Sequence, residues 1–175
     1  MNDTAMTVIA IFLAAILMFI FPLMSTADRS DDISTEAIKT ATTEFVDKIR
    51  TTGKITQDSY DSFVKTISAT GNSFDVQMEA KILDENSSKK LSQASASKIG
   101  ENQYYSEYTS QIEDAMSKSA TSDYKLKEGD IVSVTVKNTN KTISQILKDF
   151  FYRVTGNNTY NIAAQHSGIV NVNGK

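Results

Sequence analysis

The chain has 175 residues and a formal net charge of −3, from 18 Lys and Arg against 21 Asp and Glu. That is the length of one ordinary domain, and the absence of a basic stripe excludes nucleic acid as an expected partner. No cysteine is present, which excludes disulfides, thiolate metal sites and a cysteine nucleophile.

Residues Met6 to Met24 (MTVIAIFLAAILMFIFPLM) run without a charge. As a helix rising about 1.5 Å per residue, this run covers about 28 Å, close to the thickness of a bilayer's hydrocarbon core. Its polar break, Thr7, can bond back to its own helix. Residues 1–27 therefore read as a transmembrane anchor and residues 28–175 as one water-compatible domain. A cleaved signal peptide is the alternative, with Ser25-Thr26-Ala27 as its cleavage site. Against it, MNDTA carries no Lys or Arg and the apolar run exceeds a signal core. Charge leaves orientation open, because Arg29, Lys39, Lys48 and Arg50 alternate with acidic residues from Asp28 to Asp47. Pro22, the single proline, is expected to kink or end the helix. Ala10, Ala14 and Ala15 form a small-residue patch suited to helix packing inside lipid, and equally suited to a helix that simply faces lipid.

Asp28 to Asp32 (DRSDD) reads as a charged collar at the membrane surface. A helix is predicted over 34–51, continuous with the anchor or joined to it by the collar. Ile38, Ala41, Phe45, Val46 and Ile49 form its apolar face, with Asp32 or Ser34 as N-cap and Gly53 as C-cap. A second helix is predicted over 56–69, capped by Thr56, striped by Tyr60, Phe63, Val64 and Ile67, and ended by Gly71. Thr-Gly recurs at 52–53, 70–71 and 155–156 one turn after apolar residues, and glycine C-capping accounts for the echo without a duplication.

Phe74, Val76, Met78, Ala80 and Ile82 alternate strictly with polar residues, which predicts a half-buried strand followed by a turn at Asp84-Glu85-Asn86. The Ser-rich stretches 87–100 and 117–125 read as flexible linkers. Between them Tyr104, Tyr105, Tyr108, Ile112 and Met116 recur at helical spacing, predicting an amphipathic helix whose tyrosines pack on a sheet. A second strand is predicted over 131–136. A short helix capped by Thr142 follows, with Ile143, Ile146, Leu147, Phe150 and Phe151 as its apolar face. The last extended segment spans 160–172, with Tyr160, Ile162 and Ala164 on one face. The order predicts an α+β fold: a small sheet of about three strands with helices on one face.

Chemistry is sparse. The single histidine, His166, lacks the nucleophile and orienting group that a catalytic base requires. No GxSxG, HExxH or P-loop pattern occurs. Asp84-Glu85-Asn86 lacks the ligand spacing of a calcium loop and reads as a solvated turn. Asn86, Asn140 and Asn157 open glycosylation sequons of a kind that Asn- and Ser-rich chains produce by chance. The expectation is a protein that is not an enzyme and holds no cofactor or metal.

An apolar N-terminal helix, an amphipathic extension and a small α+β head resemble the plan of type IV pilin-like proteins. FVDKIRTTGKIT (45–56), YDSFVKTISATGNSFDVQMEAKILDEN (60–86) and the run from Gly129 to Val170 resemble pilin-like proteins of clostridial, Gram-positive Tad pilus clusters, which are compared with TadE-type minor pilins. The resemblance leaves out the Ser-rich middle. It implies a single-pass, extracytoplasmic structural subunit whose partners are the membrane and other pilin-like or assembly proteins. The chain departs from a prepilin at its start, since no glycine or glutamate precedes Glu36. An uncleaved anchor follows from that departure. The rival from another class is a membrane-tethered binding or adhesion module that uses the tyrosines or a sheet edge.

Overall fold

A computed structural model describes residues 2–84, 104–152 and 162–175. The 87–100 linker, most of the 84–86 turn, the Gly156 cap, Tyr160 and the sequons at Asn86 and Asn157 lie outside the described residues.

The chain begins with one uninterrupted helix, α1, from Asn2 to Thr52. Anchor and amphipathic extension are therefore a single element, and the N-caps expected at Asp32 and Ser34 do not exist, because no helix starts there. Pro22 lies inside α1 and does not end it. A proline removes one backbone donor, and the rungs on either side carry the helix past it. Thr7 and Thr26 return their hydroxyls to the carbonyls of Asp3 and Pro22, at 2.8 and 2.9 Å.

The lower half of α1 is the spine of the core. Ile38, Ala41, Phe45 and Ile49 are buried at three- and four-residue spacing, with Val46 beside them, as a helix with one apolar face requires. Three hydroxyl residues, Ser34, Thr35 and Thr42, are buried along the same helix. Thr35 and Thr42 satisfy their hydroxyls on the carbonyls of Asp31 and Ile38, and Ser34 bonds back to Ser30. Each is thus hydrogen-bonded within its own helix, which removes the desolvation penalty of a lone hydroxyl.

Gly53 ends α1 with φ +68°. Strand β1 (Lys54–Thr56) leads into α2 (Gln57–Ser68), where Thr56 and Ser59 exchange side-chain and backbone hydrogen bonds as a capping box. Helix α2 packs on α1 through Phe45 and Phe63, stacked with ring centroids 4.5 Å apart. Gly71, at φ +84°, closes its end.

A four-stranded antiparallel sheet follows, in the order β3-β2-β5-β6: β2 (Phe74–Leu83), β3 (Tyr104–Tyr108), β5 (Ile131–Asn138) and β6 (Ala163–Ile169). Register aligns Val76 with Val136, Met78 with Val134 and Ala80 with Val132, and on the other side Val136 with Ala164. Their shared face is buried against α1, which lies along β5 and β6.

Three expectations are corrected here. The sheet has four strands rather than three, and β1 also pairs with β4 (Asp123–Lys125) in a separate two-stranded ladder. The helix expected from Tyr104 to Met116 is divided into β3 and then α3 (Thr109–Lys118). Tyrosine suits a strand as well as a helix, and the edge of β2 offers β3 backbone partners from Glu79 to Leu83. The Thr109 hydroxyl marks the switch, accepting the Met78 N–H at 2.7 Å. Finally, the stretch 117–125 is structured. It ends α3, turns at Ser122 with φ +51°, and forms β4 with Asp123 and Tyr124 buried.

Candidate functional site

Three places carry the chain's functional potential: the free half of α1, the collar where the head meets it, and a cleft under β3.

Among the described residues, no residue of α1 before Ala27 is buried. Its most apolar 18-residue window has a mean hydropathy of 2.7, with none of it buried. Ile9, Phe12, Leu13, Met18, Phe19 and Phe21 are each more than half exposed. A core helix of a soluble domain hides such a face, whereas this one displays it in every direction. Ala10, Ala14 and Ala15 lie on this free half, brought to one side of α1 by their spacing and exposed like their neighbours. Among the described residues, one helix is thus long and apolar enough to cross a membrane.

Just below Met24 the collar is engaged rather than free. Helix α4 (Ile143–Tyr152) packs against α1 there. Thr142 donates its hydroxyl to Asp31 Oδ2 at 2.6 Å, and Lys148 Nζ lies 2.6 Å from Asp28 Oδ1. Ser144 makes a short hydrogen bond to the same Asp28 carboxylate. The contact to Lys148, then that to Ser144, holds the Asp28 carboxyl below its ordinary value. Thr142 and Gln145 also cap α4 reciprocally, with Gln145 Oε1 accepting the Thr142 N–H.

This geometry overturns the expected packing of α4. Thr142 does cap it, but the face turned inward is polar: Thr142, Ser144 and Gln145 are buried. Ile143 and Ile146, expected in the core, are 64% and 55% exposed. The collar carboxylates recruit the hydroxyl and ammonium side of the helix, and the apolar side turns outward. The side chains of Phe150 and Phe151 lie outside the described residues.

Under β3 is a cavity of about 450 Å³ lined by Ile82, Tyr105, Glu107, Tyr124, Lys125 and Asp130, among others. Tyr124 donates its hydroxyl to Glu107 Oε2 at 2.8 Å. Burial, and then Glu107, push the Tyr124 phenol far above its ordinary range. Asp130 is committed to structure, accepting the backbone N–H groups of Leu83 and Lys127 at 2.9 and 2.7 Å. Tyr104, Tyr105 and Tyr108 are all exposed, so the tyrosines do not form the packed stripe expected of them.

The remaining polar residues singled out by sequence have structural partners. His166 pairs with Val134 across the sheet, and its Nε2 is 4.0 Å from Asp47. Asn140 braces two loops through Ser73 and Asn72. The collar contacts were the part sequence reasoning missed, because 111 residues separate Asp31 from Thr142. The unused signal was the run Thr142-Ile143-Ser144-Gln145, whose polar members fit a carboxylate as well as they fit water. No protein-family model, curated protein or solved structure matches this chain.

Proposed function

We propose that the chain is a single-pass, membrane-anchored structural subunit of minor-pilin type in a Tad-like pilus or secretion system, with its head outside the cytoplasm. It performs no covalent chemistry. The observation that carries this reading is the division of labour in α1: one unbroken helix whose upper half is apolar with none of its best window buried, while its lower half is the core of an α+β head. A helix exposed in this way has lipid or other helices as its natural neighbours, and in lipid helices associate by close packing at small residues. Ala10, Ala14 and Ala15 supply that surface.

Disulfide crosslinking in native membranes tests it, and the cysteine-free chain makes single introduced cysteines unambiguous. Ala10→Cys or Ala14→Cys crosslinks to a second copy or to an assembly partner, and Ala14→Leu weakens the association while the head stays folded. Monomers at both positions, under conditions where other pilus components crosslink, would remove the assembly role.

The cleft beside Tyr105, Glu107 and Tyr124 supports a second reading, a tethered binding module. In that case the head binds its ligand with full affinity whatever occupies Ala14.

A further inference from the structure

We propose that α4 is a membrane-contacting foot: its Ile143–Ile146 face lies in the lipid headgroup zone beside the point where α1 leaves the bilayer. This rests on the reading of α1 as a membrane span.

Two observations carry it together. The first is the reversed packing. An amphipathic helix in a soluble head turns its apolar side inward, yet α4 buries Ser144 and Gln145 and leaves Ile143 and Ile146 outside. By helical spacing Ile143, Ile146 and the half-buried Leu147 share one side, opposite the Ser144 and Lys148 side that grips α1. The second is position. Asp28 and Asp31, which hold α4, lie four and seven residues beyond Met24 on the same unbroken helix. At about 1.5 Å per residue they are about 6 and 10 Å past the apolar span. The headgroup layer on each side of a bilayer is about 5–7 Å deep, and interfacial helices bury an apolar face about 5–10 Å into its boundary. Ser144 and Lys148, which flank Ile146 in the chain, are held at the Asp28 level within the headgroup layer, while Thr142, held on Asp31, and the adjoining Ile143 lie toward its outer edge.

The occupant is therefore the bilayer surface rather than a partner protein. The collar then serves as a bracket, in which Asp28 and Asp31 neutralise the polar side of α4 so that the opposite side is free to enter the interface. The foot also sets the tilt and rotation of α1, and of the head rigidly built on it, relative to the bilayer, which a single-pass helix alone leaves undetermined.

The test uses the full-length chain in phosphatidylcholine–phosphatidylglycerol vesicles, with a nitroxide at one introduced cysteine per sample: Leu13→Cys, Ile146→Cys or Gln77→Cys. Collision with oxygen, which concentrates in lipid, is compared with collision with a water-soluble nickel chelate. The expected oxygen-to-nickel ratio is highest at Leu13, several-fold above the Gln77 value at Ile146, and water-like at Gln77, an exposed position on the outer sheet face. A water-like ratio at Ile146 with a lipid ratio at Leu13 overturns the foot and leaves the anchor standing. A water-like ratio at Leu13 overturns the anchor and the foot with it. Spin–spin broadening at Ile146 that vanishes on dilution with unlabelled protein assigns the face to a second copy and overturns the proposal. Ile143→Asp with Ile146→Asp supplies the converse measurement. Both sites are exposed, so the head keeps its melting temperature in detergent, while in vesicles a label at Ser110 gains rotational freedom relative to the bilayer.

Discussion

Two glycines share a backbone conformation and differ in their surroundings, which separates strain from crowding. Gly53 and Gly71 both sit at positive φ, +68° and +84°. A Cβ on Gly71 meets nothing within 4 Å, whereas one on Gly53 falls 2.2 Å from the Val172 carbonyl oxygen and 2.5 Å from the Gly174 nitrogen. Gly71→Ala thus carries only the left-handed penalty, about 1–2 kcal/mol. Gly53→Ala adds a collision with backbone that has no rotamer to escape into, and is expected to cost several kcal/mol beyond that. Thermal melts of the two variants read the difference, and equal shifts would mean that the C-terminal segment Val172–Gly174 does not sit on Gly53. The sequence announced both positions, since Thr-Gly after an apolar turn is a helix stop. It did not announce which one the chain's last residues would press against, because that partner is more than a hundred residues away.

Element by element, legibility followed the range of the forces involved. The period-two run from Phe74 to Ile82 became β2, and the apolar spacing from Tyr60 to Ile67 became α2 behind its Thr56 cap. Both patterns are local, and each was enough to name its element. The three-residue strands β1 and β4 and the edge strand β3 were invisible, since each is a strand only by virtue of a distant backbone. Helix α4 was placed correctly and turned the wrong way, because hydrophobicity alone assigns the apolar face to the core while two carboxylates on α1 claimed the other. That attachment carries a pH signature. The Asp28 carboxyl is held below its ordinary value, so its contribution is complete above that value and is lost as pH falls through the lowered one. Docking of α4 is expected to be constant at neutral pH and to loosen progressively below about pH 4. The step is shallow, because Asp28 is partly exposed and solvent screens the pair. Amide chemical shifts of Ser144 to Asp149 follow it, and Lys148→Met flattens it. A profile unchanged by that substitution would mean that Lys148 does not hold the carboxylate.

At the scale of the whole molecule, α1 has an exposed apolar half and a buried half, and the place to cut them apart is defined by contacts rather than by hydropathy. Removing residues 1–26 takes away the exposed apolar half and leaves Asp28 and Asp31 in place. Removing residues 1–33 takes both carboxylates as well. Both shortened chains are expected to be soluble with the sheet intact. Only the shorter chain is expected to show fast amide exchange in α4, by an order of magnitude or more over the longer one, while β2 and β5 exchange alike in both. Equal exchange in α4 would show that the helix is held by something other than the collar. Hydropathy marked the end of the exposed apolar run near Met24. It could not show that the next turn of helix is a structural part of the head.

The C-terminal seam on α1 has a further consequence, for the order of synthesis. Asn171 donates its N–H to the Arg50 carbonyl, Leu126 to Gly53, and Gly174 to Leu126, and the Arg50 side chain reaches the Ile169 carbonyl across 119 residues. The first helix made is therefore the last to be closed. While the ribosome adds the intervening residues, Ile38, Phe45, Val46 and Ile49 have no sheet to cover them. If the chain is threaded outward as it is made, its spine emerges first and waits, apolar side open, for strands not yet translated. Such contacts between distant segments slow folding, because a long loop must close before they form. The growing head therefore depends on whatever shelters that open side in the meantime, whether a chaperone or, under the proposed anchoring, the membrane surface.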